Sequence, residues 1–293
     1  MESVQEAVQR VAAALAQAPL VFGHGTQDAW DEATALVLGV TGLPDQKAYA
    51  DHPLVEHQQE QIDALMQRRI AQREPLAYLL GRAHYAGYEF LCEPGVVIPR
   101  SPIGLLIGAG MRPWLRQPPS VVVDVCCGTG CLGILCAHTF PEARVLLLDV
   151  DAHAVALAQR NVSAHGLEER VRVAQSDLLD ALSEPVDLLV SNPPYVDAAD
   201  MSSLPREYQH EPVLGLSGGA DGLDVVARLL EQSSGFLSDR GLMVCEVGRS
   251  AAALQREYPA VPFVWLDLPQ GGEGVFVLDG VDLPGVATSG QRA

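Results

Sequence analysis

The chain has little positive charge. Lys47 is the single lysine among 19 basic residues, which stand against 37 acidic ones, and the formal charge is −18 over 293 residues. The acids are spread along the chain, and no basic tail or stripe is present. Tight binding of nucleic acid through phosphate neutralisation is therefore disfavoured, and a basic partner is the easier inference.

Long apolar runs and paired metal ligands are also missing. No run reaches the length of a membrane span, and the start, MESVQEAVQR, lacks the basic and apolar regions of a secretory signal. The six cysteines form no C-x-x-C pairs and the eight histidines no H-x-x-x-H spacing, so we expect buried thiols, no disulfide framework and no metal site. These absences predict a cytoplasmic protein without a membrane partner.

The composition changes along the chain and predicts four segments. Residues 1–80 show helical spacing of apolar residues and form a small helical unit. Residues 81–105 are aromatic and rich in β-favouring residues broken by glycines, which indicates a β-hairpin linker. Residues 106–281 form the main domain, and residues 282–293 are expected to be a flexible tail.

Seven apolar runs separated by helical or loop segments follow residue 106. Strands that alternate with helices predict an α/β fold with a parallel, Rossmann-like sheet covered on both faces. The last two runs are separated only by QGGE, which predicts a hairpin that adds an antiparallel edge strand. The runs are VVVDVC, RVLLLDV, VRVAQS, VDLLVSN, GLMVCEVG, PFVWLDLP and GVFVLDG.

A glycine loop, residues 126–130, follows the first of these strands. Gly128, Gly130 and Gly133 satisfy G-x-G-x-x-G, and Asp149 ends the next strand, where a carboxylate can accept from the hydroxyls of a ribose. The sequence therefore predicts a nucleoside cofactor. The motif alone permits both a dinucleotide, as in an NAD-dependent dehydrogenase, and S-adenosylmethionine.

Two further aspartates narrow the choice of cofactor. Asp124 lies inside the first strand, where a charge needs a cationic partner, such as the amino group of a methionine moiety, or ordered water; the alternative is hydrogen bonding to backbone amides of its own turn. A pyrophosphate would be repelled there. Asp177 ends the third strand, where it could accept from an adenine amino group or cap a following helix.

The fourth strand ends in SNPPY, and residues 192–195 are called the NPPY loop here. The side-chain oxygen of Asn192 and the carbonyl of Pro193 could accept the two N–H groups of a planar –NH₂ and leave its lone pair turned to a methyl donor. Tyr195 could stack on the planar group. The alternative is an ordinary strand-end turn, which Asn-Pro often makes.

At these motifs the sequence resembles the protein N(5)-glutamine methyltransferases that depend on S-adenosylmethionine. The resemblance extends over most of the chain. It includes GHGT, WDEA, PLAYLLGRAHYAGYEF, IPRSPIG, the glycine loop, NPPYVDAADMSSLPREYQHEP, DGL, CEVG and GGEGVF. It implies a class I methyltransferase sheet, with the helical unit as a substrate-docking domain. PRSPIG at 99–104 is typical of the branch that acts on ribosomal protein L-three of the large subunit, free or in an assembling particle. Residues 99–102 within it are called the PRSP loop here.

The resemblance also implies roles for individual residues. We expect a substrate-shaping loop at 197–212. Catalytic residues are Asn192, Pro193 and Tyr195. Cofactor contacts are expected from Asp124, Gly128, Thr129, Gly130, Asp149, Asp177, Leu178 and Asn192. Substrate contacts are expected from Asn192, Pro193, Pro194, Tyr195 and Arg100.

Other functions remain as alternatives. A release-factor glutamine methyltransferase and an adenine-N(6) DNA methyltransferase share the loop chemistry, but the first differs at PRSPIG and the second needs a basic cleft. A ribosome-assembly factor that keeps the pocket without catalysis is a further possibility. The G-x-S-x-G match at 215–219 suggests an α/β-hydrolase, but no strand precedes that serine and no helix directly follows it.

Overall fold

The computed structural model describes residues 1–268 and 273–285. The first part is the helical unit. The helices are α1 (Val4–Gln17), α2 (Ala29–Thr41), α3 (Glu56–Gln72) and α4 (Leu76–Leu80). Ser3 and Asp28 accept backbone N–H groups at the starts of α1 and α2 and so cap them. Apolar side chains three and four positions apart meet in one core, as the helical spacing predicted.

A β-hairpin and a short helix connect the helical unit to the main domain. Strands β1 (Arg82–Tyr85) and β2 (Tyr88–Leu91) pair antiparallel, and α5 (Ile103–Gly108) follows the PRSP loop. Ala86 and Gly87 both have positive φ, 49° and 85°, which the tight two-residue turn requires. The hairpin lies within the segment that the composition assigned to it.

The main domain is built on a seven-stranded sheet of order β5-β4-β3-β6-β7-β9-β8. Its five parallel strands and the antiparallel hairpin of β8 and β9 at one side confirm the predicted α/β sheet with an antiparallel strand near its edge. The antiparallel strand β9 lies between β7 and β8, so β8 is the edge strand. The strands are β3 (Val121–Val125), β4 (Arg144–Asp149), β5 (Val171–Gln175), β6 (Val186–Ser191), β7 (Leu237–Glu246), β8 (Val264–Leu266) and β9 (Val275–Asp279).

Helices cover both faces of this sheet, with a hydrophobic core on each side. They are α6 (Cys131–Thr139), α7 (Ala152–Ala164), α10 (Asp224–Ser233) and α11 (Ala251–Glu257). The short helices α8 (Ala198–Ser203) and α9 (Val213–Leu216) lie outside these two cores. Short 3₁₀ turns occur at Lys47–Tyr49, Tyr208–His210, Gly248–Ser250 and Gly280–Gly285. All six cysteines are free and none is exposed, as expected of packing thiols.

The predicted tail, residues 282–293, lies only in part within the described residues. Residues 282–285 belong to the last 3₁₀ turn, where Leu283 is buried, and residues 286–293 lie outside the described part. Gly271 and Gly272, from the GGEGVF resemblance and the QGGE turn, also lie outside it.

The strand order reverses between β3 and β6. From β3 the chain moves outward to β4 and β5, and it then returns to the other side of β3 to form β6 and β7. Such a reversal opens a crevice at the carboxyl ends of the two central strands. The glycine loop leaves β3 and the NPPY loop leaves β6, so both predicted motifs meet at this crevice.

Candidate active site

A cavity of about 310 Å³ lies at the carboxyl ends of the central strands. Its walls come from the PRSP loop, the glycine loop, the NPPY loop and the end of the predicted substrate-shaping loop. The predicted site residues on its surface are Arg100, Asp124, Gly128, Thr129, Asp149, Asn192, Pro193, Pro194 and Tyr195.

The glycine loop is closed by backbone contacts. Gly128 has φ +55° and donates its N–H to Asp149 Oδ2 at 2.8 Å. A side chain at Gly133 would overlap Leu147 and press on Asp124, so glycine is required for the close packing of α6 on the sheet. Gly130 faces Leu147 and Ala158 and does not line the cavity, so its role is in helix packing.

Asp149 is placed as a ribose-binding residue would be. Its Oδ1 accepts from the Asp151 N–H at 3.0 Å, and its other oxygen accepts from Gly128. Burial raises its pKa, while these backbone hydrogen bonds oppose the rise. Each oxygen keeps a lone pair for a hydroxyl group in the cavity.

Asp124 has one unsatisfied oxygen. The residue is 1% exposed, Oδ2 accepts the Gly133 N–H at 2.8 Å, and Oδ1 has no hydrogen-bond partner within the described residues. Burial raises its pKa to about 8. The backbone alternative therefore accounts for one oxygen only, and the second fits a donor or cation that enters the cavity.

Besides Gly130, two further predicted cofactor contacts, Asp177 and Leu178, are not brought to the cavity. Asp177 is exposed, and its carboxylate accepts from Arg228 at 2.7 Å. No helix begins directly after Asp177, so the alternative role as a helix cap is wrong. Leu178 is buried in the core on one face of the sheet with φ +50°. Both residues follow the carboxyl end of a parallel strand, and such ends lie at one edge of the sheet, near the site. This rule does not give the direction of their side chains.

Asn192 is oriented by the PRSP loop. Its Nδ2 donates to the backbone carbonyl of Arg100 at 3.3 Å, which leaves Oδ1 as an acceptor. Pro193 is buried and Pro194 half-buried, and both lie on the cavity wall. The missing N–H groups and fixed φ angles of the two prolines give the loop a rigid course.

Arg100 is held by a buried carboxylate, Glu211. Both guanidinium NH₂ groups donate to Glu211, which also accepts the Ile98 N–H at 2.9 Å and lies 3.4 Å from His24 Nε2. Burial raises the pKa of Glu211, but the contacts with His24 and Arg100 outweigh it and lower the value to about 2. The guanidinium also lies over the Tyr208 ring, 5.3 Å from its centroid.

The segment 197–212 is tied to the helical unit through Glu207. This buried carboxylate accepts from Arg73 at 2.7 Å, from Arg69 at 3.4 Å and from the Val21 N–H at 3.1 Å. The helical unit therefore contacts the segment that forms one wall of the cavity.

Three carboxylates were not assigned roles from the sequence: Glu207, Glu211 and Glu246. Each lies in a segment covered by the resemblance, in PREYQHEP or CEVG, but nothing in the spacing shows what its side chain contacts. Ser217, from the G-x-S-x-G match, follows the four-residue α9 and is not on a strand–turn–helix, which agrees with treating that match as chance.

Two kinds of site are absent from the described ranges. Residues 1–268 and 273–285 contain no helix with the length and hydropathy of a membrane span. The same ranges contain no cluster of three or more histidine, cysteine or acidic side chains arranged to bind a metal ion.

Known families and proteins resemble both parts of the chain. The family model described as the methyltransferase small domain matches residues 113–205, and the PrmC N-terminal domain matches residues 6–81. The ribosomal protein uL3 glutamine methyltransferase of Neisseria meningitidis serogroup B is 42% identical over 89% of this chain and 88% of its own length. The protein of the same name from Neisseria gonorrhoeae is 41% identical, with 89% of each chain covered.

Solved structures share the fold at low sequence identity. The catalytic domain of hMettl16 in complex with a MAT2A 3′UTR hairpin superposes with a TM-score of 0.53 at 17% identity, over 76% of this chain and 80% of that one. A second hairpin complex gives 0.52 at 18% identity, over 83% and 89%. At this identity the likeness shows the fold alone.

Proposed function

The chain belongs to the family of ribosomal protein uL3 glutamine methyltransferases, and from this premise we propose how its cavity methylates a glutamine of uL3, the large-subunit ribosomal protein L-three. The chain is a methyltransferase that uses S-adenosylmethionine. The observation that carries the proposed mechanism is the orientation of Asn192, whose amide donates to the Arg100 carbonyl and presents its oxygen to the substrate.

A glutamine amide is a poor nucleophile because its nitrogen lone pair is delocalised. Asn192 Oδ1 and the Pro193 carbonyl accept the two N–H groups, and Tyr195 packs against the planar amide. This arrangement points the nitrogen lone pair along the line of displacement. The amide nitrogen becomes acidic once alkylated and loses one proton, so no strong base is required.

The cavity fits S-adenosylmethionine through its acidic and backbone groups. Asp149 would hold the ribose hydroxyls, and the glycine loop at Gly128 and Thr129 would contact the nucleoside. The unsatisfied Asp124 Oδ1 would face the amino group of the methionine moiety. When bound, S-adenosylmethionine supplies an electrophilic methyl group on a sulfonium sulfur, and a C–S bond is exchanged for a C–N bond.

The other segments receive supporting roles in this proposal. The helical unit of residues 1–80 docks the substrate, residues 81–105 link it to the catalytic domain of 106–281, and the acid excess favours encounter with a basic ribosomal protein. We place the protein in the cytoplasm, with uL3 free or in an assembling particle as its acceptor, and with no specific DNA and no membrane as partners.

A transfer assay tests this function. Labelled S-adenosylmethionine is offered with unmethylated uL3, an unmethylated release factor and duplex DNA in separate reactions, followed by peptide mapping by mass spectrometry. We expect label on one glutamine of uL3. Label on the release factor or on adenine would keep the chemistry of the NPPY loop and overturn the substrate, and cofactor binding with no transfer would favour the assembly factor.

A further inference from the structure

Glu246, the last residue of β7, joins the two loops that form the substrate side of the cavity. It is 7% exposed, and its two oxygens have different partners. The Tyr195 hydroxyl donates to Oε1 at 2.6 Å, and the Ser101 hydroxyl donates to Oε2 at 2.6 Å. One carboxylate therefore connects the NPPY loop with the PRSP loop.

Both hydroxyl partners are fixed from other directions as well. The Tyr195 ring lies so close to Gly248 that any side chain there would overlap it, and the Tyr195 carbonyl accepts from Ser250 Oγ at 2.9 Å. The Ser101 carbonyl accepts from the Tyr85 hydroxyl at 2.6 Å. Glu246 thus connects two loops, each of which is also held by contacts with other parts of the chain.

Burial raises the pKa of Glu246, while the hydrogen bonds from Ser101 and Tyr195 oppose the rise. An ionised carboxylate accepts from both hydroxyls at once, whereas a protonated one has a donor on one oxygen. No salt bridge to Glu246 is found among residues 1–268 and 273–285, and the guanidinium of Arg100 is already engaged by Glu211. A buried carboxylate without a direct ion pair is costly to keep for stability alone, which points to a functional use.

We propose that Glu246 is a positioning residue for methyl transfer, which sets the spacing between the NPPY and PRSP loops and thereby the place of the glutamine amide. This role rests on the proposed function, because the amide pocket is the one formed by Asn192, Pro193 and Tyr195. Glu246 acts through Tyr195 and Ser101 and does not itself contact the reacting atoms.

The test uses the full chain with Glu246→Gln, Tyr195→Phe and Ser101→Ala, together with the double variant Tyr195→Phe/Glu246→Gln. Single-turnover transfer is measured on the acceptor that the wild-type enzyme methylates, with cofactor affinity measured by calorimetry. We expect Glu246→Gln to slow transfer about 10- to 100-fold, since misplacement of about 1 Å has such an effect, and to leave cofactor affinity within about twofold. The double variant should be hardly slower than Glu246→Gln alone, because both changes act on the same contact, the one between Tyr195 and Glu246.

A matched control comes from the opposite end of β6. Asp187 accepts the Ser120 and Val121 N–H groups there, and Asp187→Asn should leave transfer by the folded enzyme unchanged. Three outcomes would each overturn the proposal. They are transfer by Glu246→Gln at the wild-type rate, losses in the double variant that equal the product of the single losses, and a loss of cofactor affinity as large as the loss of transfer rate. If Glu246→Gln does not fold, Tyr195→Phe and Ser101→Ala test the proposal in its place. Unchanged transfer in both of these variants would overturn the proposal.

A crystal structure of Glu246→Gln separates this proposal from the proposed function. We expect the Tyr195 ring and the Ser101 hydroxyl to move apart even if the wild-type enzyme methylates none of the acceptors offered. Unchanged positions of both groups would contradict the positioning role whatever the substrate is.

Discussion

The two halves of the cavity are held in place by different means. In the cofactor half, Asp124 and Asp149 accept backbone N–H groups from the glycine loop and the start of α6, all within a short stretch of chain. In the substrate half, side chains join segments that are far apart: Arg100 with Glu211, and Ser101 with Glu246 and Tyr195. Local backbone contacts thus form one half and long-range buried carboxylates the other.

This difference predicts that the two halves fail separately. Damage in the cofactor half should weaken cofactor binding, whereas damage in the substrate half should slow transfer by an enzyme that still binds its cofactor. Four changes test whether the two halves fail separately, and they follow in order of decreasing expected effect.

Asn192→Ala should have the largest effect. Without the Asn192 amide oxygen the substrate nitrogen loses one of its two acceptors, and we expect transfer at saturating cofactor to fall at least about 100-fold. Single-turnover assays with uL3 measure the loss, and circular dichroism checks the fold. A fall below about tenfold would remove Asn192 from the catalytic residues.

Asp149→Ala should act on the other half. The variant loses the hydrogen bonds between the Asp149 carboxylate and the ribose hydroxyls, so we expect the cofactor dissociation constant to rise about 10- to 100-fold. The transfer rate should largely recover at saturating cofactor. Asp177→Ala is the matched control, because its carboxylate pairs with Arg228 outside the cavity and the structure predicts an unchanged affinity. Equal weakening by both variants, measured by calorimetry, would return Asp177 to the site.

Glu211→Gln should destabilise the substrate half. Removing the charge that compensates Arg100 predicts a loss of about 3 kcal/mol in the free energy of unfolding at pH 7, measured with urea. The folded state lowers the pKa of Glu211 from 4.5 to about 2, so its contribution is present above pH 4.5 and disappears as the pH falls towards 2. The difference in unfolding free energy between wild type and Glu211→Gln should therefore become smaller as the pH falls from 4.5 towards 2.

The control for this loss is an exposed pair, Arg144 with Glu184. Glu184→Gln should change stability little, because solvent screens the two charges. A Glu211→Gln variant as stable as Glu184→Gln at pH 7 would contradict the role of Glu211 as the support of the PRSP loop.

Asp124 should show the smallest effect, a proton released on cofactor binding. Its raised pKa of about 8 means that the carboxyl is mostly protonated at pH 7 in the free protein, and a cation against Oδ1 lowers that pKa. Calorimetry in phosphate and in Tris should show release of close to one proton at pH 7, and Asp124→Asn should abolish it. No release by the wild type would mean that Asp124 stays neutral and that no cation lies beside it.

The contacts that support the cofactor half are easier to predict from the sequence than those that support the substrate half, because they are local. Strand, glycine turn and helix follow one another in VVVDVCCGTGCLGI, and Asp149 lies only 21 residues beyond Gly128. By contrast, Glu211 is 111 residues from Arg100, and Glu246 is 145 residues from Ser101. Such pairs depend on the three-dimensional arrangement of loops, which neither periodicity nor motif spacing gives.

Asp177, a residue predicted for the cofactor half, also has a side-chain contact that the sequence does not give. Its position at the end of β5 followed from the alternation of strands and helices. Its side chain contacts Arg228 of α10, which is 51 residues away in the sequence and is brought near it by the fold. Position along the chain could therefore be predicted for Asp177, and its contact could not.

The most direct test of separate halves is a double-mutant cycle on transfer at subsaturating cofactor. It compares the wild type, Asn192→Ala, Asp149→Ala and the double variant. If the halves act separately, the two losses in transition-state stabilisation add to within about 0.5 kcal/mol in the double variant. A coupling energy well above that value would show that the two halves form one cooperative unit and would contradict the account.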